Sequence, residues 1–200
     1  MTGAKASQTT GKPPRVGADY WVALGLRRLA EQGPDGLTID GLCRAASKTK
    51  GSFYAHFTSH DAFLLAVIAR WRAESSAALI ASSSVRTDPT DRLLLLNRLA
   101  IMLDPALERG IYRLAERNPQ VAAAVMAVDD LRLAYLASLY RAMGQHSDQM
   151  AADLAAIEYA AFVGFQRPGA ARDSQEFERL HQVFLALVSG AAVASRSKRG

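Results

Sequence analysis

The chain has 200 residues, half of them hydrophobic and 22% charged, which is the balance of a folded domain with ample core material and excludes wholesale disorder. One cysteine, Cys43, excludes an internal disulfide framework, and no Cys/His group has zinc-finger spacing. The net charge is +5, but it is uneven: residues 1–60 carry eight basic side chains against four acidic ones, and the last six residues add three more basic ones. A basic head and tail on a slightly acidic body is a weak pointer to a polyanionic partner.

The first fifteen residues are polar and basic, which is unlike a signal peptide. The longest apolar segment, Val183 to Ala194, falls short of the roughly 20 residues a membrane span needs. The reading is therefore a cytoplasmic chain with no membrane partner.

In chain order, nearly every segment reads as helix, with helix starts and stops as the punctuation. Val22, Leu26, Leu29 and Ala30 recur at helical spacing, and Gly33-Pro34 ends that helix. Thr38 is an N-cap candidate opening a short helix through Ile39, Leu42 and Ala45, with Cys43 as a small buried hydrophobe. Thr49 opens another through Phe53 and Tyr54. Ser59 opens a long fourth helix, expected over about 60–82, with Asp61 in its first turn and a stripe of Phe63, Leu64, Val67, Ile68 and Trp71.

Three later starts share one device. Asp88-Pro89, Asp104-Pro105 and Asn118-Pro119 each place a capping side chain before a proline at the first helical position. The helix after Asn118 runs to about Met143, with Gly144 closing it, and Ser147 caps the next. A last helix starts at Ser174 and runs through Phe177, Leu180, Phe184 and Leu187. The expected fold is all-α, with about nine helices. Its expected parts are a basic arm over 1–17, a head over 18–72, a larger body over 73–195 and a basic tail over 196–200.

Residues 37–57 carry the chemistry: a capped two-turn helix, a turn around Ala46 to Lys48, and a second capped helix make a helix-turn-helix. Such a second helix fits the major groove, about 12 Å wide, with its N-terminal residues against base edges. Here that first turn is Thr49-Lys50-Gly51-Ser52: a cation, two small hydroxyls and a glycine, which costs about 1 kcal/mol of helix propensity and leaves room for close approach. Phe53 and Phe57 should point inward and Tyr54 outward.

The strings Leu37-Thr38-Ile39-Asp40-Gly41-Leu42, Lys50-Gly51-Ser52-Phe53-Tyr54-Ala55-His56-Phe57 and Ser59-His60-Asp61-Ala62-Phe63 resemble the TetR family of bacterial transcriptional regulators over residues 18–72. The resemblance implies an N-terminal DNA-binding head and a C-terminal ligand-binding and dimerisation body. It implies DNA contacts from Thr38, Lys48, Thr49, Lys50, Gly51, Ser52, Tyr54, His56 and His60. Thr38 would serve as both cap and phosphate ligand. His60 stands where many members have lysine, Ser47 where a turn glycine is usual, and Lys48 where a valine packs, so its stem would snorkel.

An effector cavity is expected around Met102, Leu103, Leu107, Tyr112, Tyr135 and Phe162, although each of these residue types is also ordinary core at helical spacing. Of Tyr135 and Tyr140, five residues apart, at most one should point inward. With no charged cluster among these residues, the expected effector is small and apolar. Ala151, Ala152, Ala155, Ala156 and Ala160 on one helix, with Val183, Leu187, Gly190 and Ala191 on the last, give small-residue faces suited to a homodimer.

No catalytic motif, metal set or cofactor signature stands out. His56 and His60 are i, i+4 but separated by a helix break, and His146 and His181 read as loop and helix-surface residues. The reading is thus an effector-released repressor acting on a near-palindromic double-stranded operator, and not an enzyme. An activator, or a helical small-molecule binder with a vestigial head, remains open.

Overall fold

The computed structural model describes residues 17–144 and 146–166, with residues 175, 176, 179, 180, 182, 183 and 186 beyond them. Helix α1 (Ala18–Gln32) ends in a 3-10 turn over Gly33–Leu37 and is followed by α2 (Ile39–Ala46), α3 (Lys50–Tyr54) and α4 (His60–Arg72). A π-helical turn over Ala73–Ala77 joins α4 to α5 (Ala78–Ser83) in one rod. Then come α6 (Pro89–Ile101), α7 (Pro105–Ala115), α8 (Pro119–Ala142) and α9 (Asp148–Phe165). Counting α4–α5 as one rod gives eight helices and no strand among the described residues. The expected last helix lies mostly outside those residues, as do Phe177, His181, Phe184, Leu187, Gly190, Ala191, the arm and the tail.

The caps explain the boundaries. Thr38, Thr49, Ser59, Asp88, Asp104, Asn118 and Ser147 each accept a backbone N–H from the first turn of the helix they open. Each satisfies a donor that the helix start leaves orphaned. Proline at the first position of α6, α7 and α8 removes one further donor there. Gly144 closes α8 at φ +69°, a left-handed conformation that glycine adopts without a Cβ clash.

Two cores hold the chain. The first runs from Trp21 through Leu42, Phe53, Phe57, Phe63, Val67 and Trp71 to Ile111, Leu114, Val121 and Val128, so the head shares its interior with α7 and the first half of α8. The second joins Leu93 of α6, Leu136 and Tyr140 of α8, and Ala151 and Ala155 of α9. Close approach of α1 and α7 needs Gly110, where a Cβ would sit 2.8 Å from the Leu29 carbonyl oxygen.

The α1 register differs from the periodicity reading. Trp21, Val22, Leu24, Gly25 and Leu29 are buried, while Leu26 and Ala30 are only half-buried. Trp21 is the missed anchor: its ring meets Phe53 edge-on at 5.4 Å. Both tyrosines of α8 also point inward, contrary to the one-of-two expectation. Tyr140 is fully buried against α9, while half-buried Tyr135 reaches Ser83 with its hydroxyl at 2.9 Å. A helix covered by α5 and α6 on one side and by α9 on the other buries far more than one stripe.

Ser47 follows α2 with φ 53° and ψ 43°, the one non-glycine residue of positive φ among those described. A side chain in this region costs about 1 kcal/mol or more, and glycine relieves it. Ser47→Gly should therefore raise the urea midpoint by an amount equivalent to up to about 1 kcal/mol, whereas the β-branched Ser47→Val should lower it. A lower midpoint for the glycine variant would show that Ser47 is unstrained.

Candidate nucleic-acid interface and ligand cleft

The turn after α2 presents α3 as a short rod anchored from below. Phe53 is fully buried and Phe57 nearly so, and both rings lie 5.2 Å from Phe63 of α4. Trp21, Phe53, Phe57 and Phe63 thus form an aromatic floor that fixes the roll of α3. With that roll set, Thr49, Lys50, Gly51, Tyr54 and His56 are exposed, and Ser52 and Lys48 are half-exposed. Tyr54 is 49% exposed, its ring meeting Phe53 edge-on at 5.5 Å.

Gly51 has no packing role: a Cβ there would meet only Thr49 Oγ1, at an ordinary 3.6 Å. Thr38 and Thr49 spend their hydroxyl oxygens as caps, accepting from Gly41 N–H at 3.2 Å and Ser52 N–H at 3.3 Å. Their hydroxyl protons are left to reach a neighbouring acceptor.

Two residues behave differently from the simple picture. Lys50 Nζ lies 2.8 Å from Asp40 Oδ1 of α2, and this exposed pair raises the lysine pKa through the hydrogen bond and the charge of Asp40. His60 turns inward, its Nε2 2.8 Å from the Leu37 carbonyl oxygen. A carbonyl only accepts, so Nε2 carries the proton and serves to tie α4 to the end of the 3-10 turn. Cys43, buried beneath α2, has its thiol pKa pushed up by burial and by Asp40.

The head is pinned to the body by polar contacts as well as by the shared core. Asn118 caps α8 through Oδ1 while its Nδ2 donates to Asp61 Oδ1 of α4 at 3.0 Å. Arg117 pairs with Asp35 at 2.7 Å.

At the far end of α4, the π-helical turn brings the successive buried serines Ser75 and Ser76 to face Arg132 of α8. Arg132 Nε donates to Ser76 Oγ at 2.8 Å. NH2 donates to Ser75 Oγ at 2.9 Å and to the Ser75 carbonyl at 3.4 Å, and NH1 donates to Glu108 Oε2 and Tyr159 Oη, each at 3.2 Å. Glu108, itself buried, accepts from Trp71 Nε1 at 2.6 Å, and the guanidinium lies 4.8 Å from the Trp71 ring centre. Burial lowers the Arg132 pKa, but Glu108 and Tyr159 outweigh it and leave it above its ordinary value. Tyr112 and Tyr159 both donate to Asp129 Oδ1, at 2.9 and 2.6 Å. Burial pushes the Tyr159 hydroxyl up to about 12 and raises that of Tyr112 as well.

This network forms one wall of a cleft of about 510 Å³, counting its open mouth, between the α4–α5 rod, α6, α8 and α9. Of the residues named from the sequence, Leu103, Tyr135 and Phe162 line it. Met102 does not: it is 81% exposed at the end of α6. Leu107 and Tyr112 pack against the head-side core instead. Sequence periodicity missed Arg132 and Glu158, which also line the cleft and give it a charged lining. A lone arginine and a lone glutamate on long helices look like solvent residues until packing covers them. The alanine face of α9 divides too: Ala151 and Ala155 are buried against α8, leaving Ala152, Ala156, Ile157 and Ala160 exposed.

Residues 22–67, which hold α2, α3 and the turn between them, match the profile of "Bacterial regulatory proteins, tetR family". The head that carries this match and the helical body behind it also superpose on solved structures. A candidate transcriptional regulator from Saccharomonospora viridis, in complex with choline, aligns with TM-score 0.71 at 17% identity over 86% of this chain and 95% of that one. The regulatory protein TetR from Rhodobacter sphaeroides aligns with TM-score 0.58 at 23% identity, over 82% and 94%. At these identities the likeness is one of fold. No curated protein sequence matches the chain. No helix among the described residues is long and apolar enough to cross a membrane.

Proposed function

We propose that the protein is a dimeric transcriptional repressor of the cytoplasm that grips a near-palindromic DNA operator with its tetR-type heads and releases it when a small molecule occupies the body cleft. The observation that carries this reading is the outward row of Thr49, Lys50, Gly51 and Tyr54 on a capped helix whose roll is locked by Phe53 and Phe57. A cation, a hydroxyl, a bare backbone and a half-exposed ring suit the phosphates and base edges of a major groove. Lys48 and His56 stand at its flanks, while His60 holds α4 in place rather than reaching DNA.

Two copies meeting along the exposed Ala152, Ala156, Ile157 and Ala160 face of α9 would set two heads one helical turn of DNA apart, about 34–36 Å. Release is a population shift that cannot exceed the ligand's differential affinity for the two arrangements. The rod formed by α4, the π-helical turn and α5 supports this, because it carries Ser59 and Phe63 at the head and Ser75 and Ser76 at the cleft.

Selection of bound duplexes from a random pool tests the reading. It should enrich an inverted repeat with half-site centres one turn apart. A pool that stays random at modest ionic strength would refute it.

A further inference from the structure

The charge of the cleft is unbalanced. Glu158 of α9 is 6% exposed and borders the cleft, accepting from Asn97 Nδ2 at 2.7 Å and from the Tyr140 hydroxyl at 2.5 Å. Both donors are neutral, and among the described residues no cation pairs with it. Among the described residues the only basic side chain lining the cleft, Arg132, has committed all five N–H donors to Ser75, Ser76, Glu108 and Tyr159. Among the described residues the network and the cleft lining together hold three buried or hydrogen-bonded carboxylates (Glu108, Asp129 and Glu158), and of these only Glu108 is paired with the Arg132 guanidinium. An anionic ligand would find no free donor on that guanidinium. A cation would find a carboxylate with lone pairs to spare beside the stacked rings of Tyr159 and Phe162, 6.1 Å apart, with Tyr135 on the same lining. Carboxylate plus aromatic faces in an apolar cleft is the chemistry that holds alkylated ammonium groups.

We infer that the cleft takes a small organic cation of the quaternary-ammonium type, with Glu158 as its counter-ion and Tyr159 and Phe162 as its aromatic wall. This rests on the cleft being the effector site, and it replaces the apolar ligand expected from the sequence. A buried carboxylate without a cation is costly unless neutralised. The ligand's charge removes that cost, so the molecule binds where a neutral one of the same shape does not.

Calorimetric titration of the full chain with tetramethylammonium, choline and tetraethylammonium tests it, with 3,3-dimethylbutan-1-ol as the uncharged match to choline. At least one cation should bind about tenfold or more tighter than the alcohol, and Glu158→Gln should abolish that advantage. Phe162→Leu, which leaves the carboxylate in place, should weaken the same cation. Equal binding of choline and the alcohol, equal cation binding by Glu158→Gln, or no binding of any cation by a chain that still binds DNA would overturn the inference. Operator release is read separately by gel shift. A cation that binds through Glu158 without moving the operator upholds the inference and refutes release through the cleft. Release by neutral compounds alone does the reverse.

Discussion

Arg132→Met should lower the stability of the protein by about 3–5 kcal/mol, the largest loss expected from any single polar substitution here. The side chain is only 9% exposed and its partner Glu108 1% exposed, and the substitution leaves that carboxylate buried with one neutral donor, Trp71 Nε1. It also strips Ser75 and Ser76 of their acceptor roles and removes the cation from the face of Trp71. Against a total stability of about 5–15 kcal/mol, such a loss is large enough to shift the urea midpoint well outside experimental scatter. Most of the effect comes from stranding a charge rather than from the strength of the pair. Adding Glu108→Gln should therefore restore a substantial part of the midpoint. A single variant costing under about 1 kcal/mol, or a double variant no better than the single, would mean that the network contributes little to stability.

The same network marks where sequence reading stops. The helix starts were legible because Thr38, Thr49, Ser59, Asp88, Asp104, Asn118 and Ser147 act within three residues of themselves, and local chemistry is what a sequence records. The outward row on α3 was legible for a similar reason, since Phe53 and Phe57 fix the roll of a rod too short to offer alternatives. The cleft was not. Glu108, Arg132, Asp129 and Glu158 sit on three helices, and the serines that hold Arg132 come from a fourth element, the π-helical turn at Ala73–Ala77, so their placement is set by packing between helices and not by local sequence. There Ser75 and Ser76, adjacent in sequence, are both buried, and the branched guanidinium of Arg132 reaches both, through Nε to Ser76 and NH2 to Ser75. Met102 failed as a cleft residue for the converse reason: apolar chemistry alone does not tell a helix end from a helix middle. The inward turn of His60 depended on the Leu37 carbonyl, 23 residues away in sequence, which no local pattern reveals.

Lys50→Ala should cut affinity for the selected operator by about tenfold or more while leaving the urea midpoint unchanged, because Lys50 is exposed and anchors nothing in the core. The free protein keeps this ammonium against Asp40, so docking exchanges a carboxylate for a phosphate rather than releasing a free charge. The dependence of log affinity on log salt should accordingly lose about 1 in slope per subunit if Lys50 touches phosphate, and less if it reaches a base edge. Asp40 makes the converse variant informative. It stands in the first turn of α2, on the face that would meet the duplex, and repels phosphates while it restrains Lys50. Asp40→Asn should therefore strengthen binding to any duplex several-fold, and random DNA should gain at least as much as the operator, so that specificity falls as affinity rises. If the operator alone gained, Asp40 would be acting through base readout. If neither variant moved the salt slope, Lys50 would not touch the backbone, and phosphate binding would rest with Thr38, Tyr54 and His56.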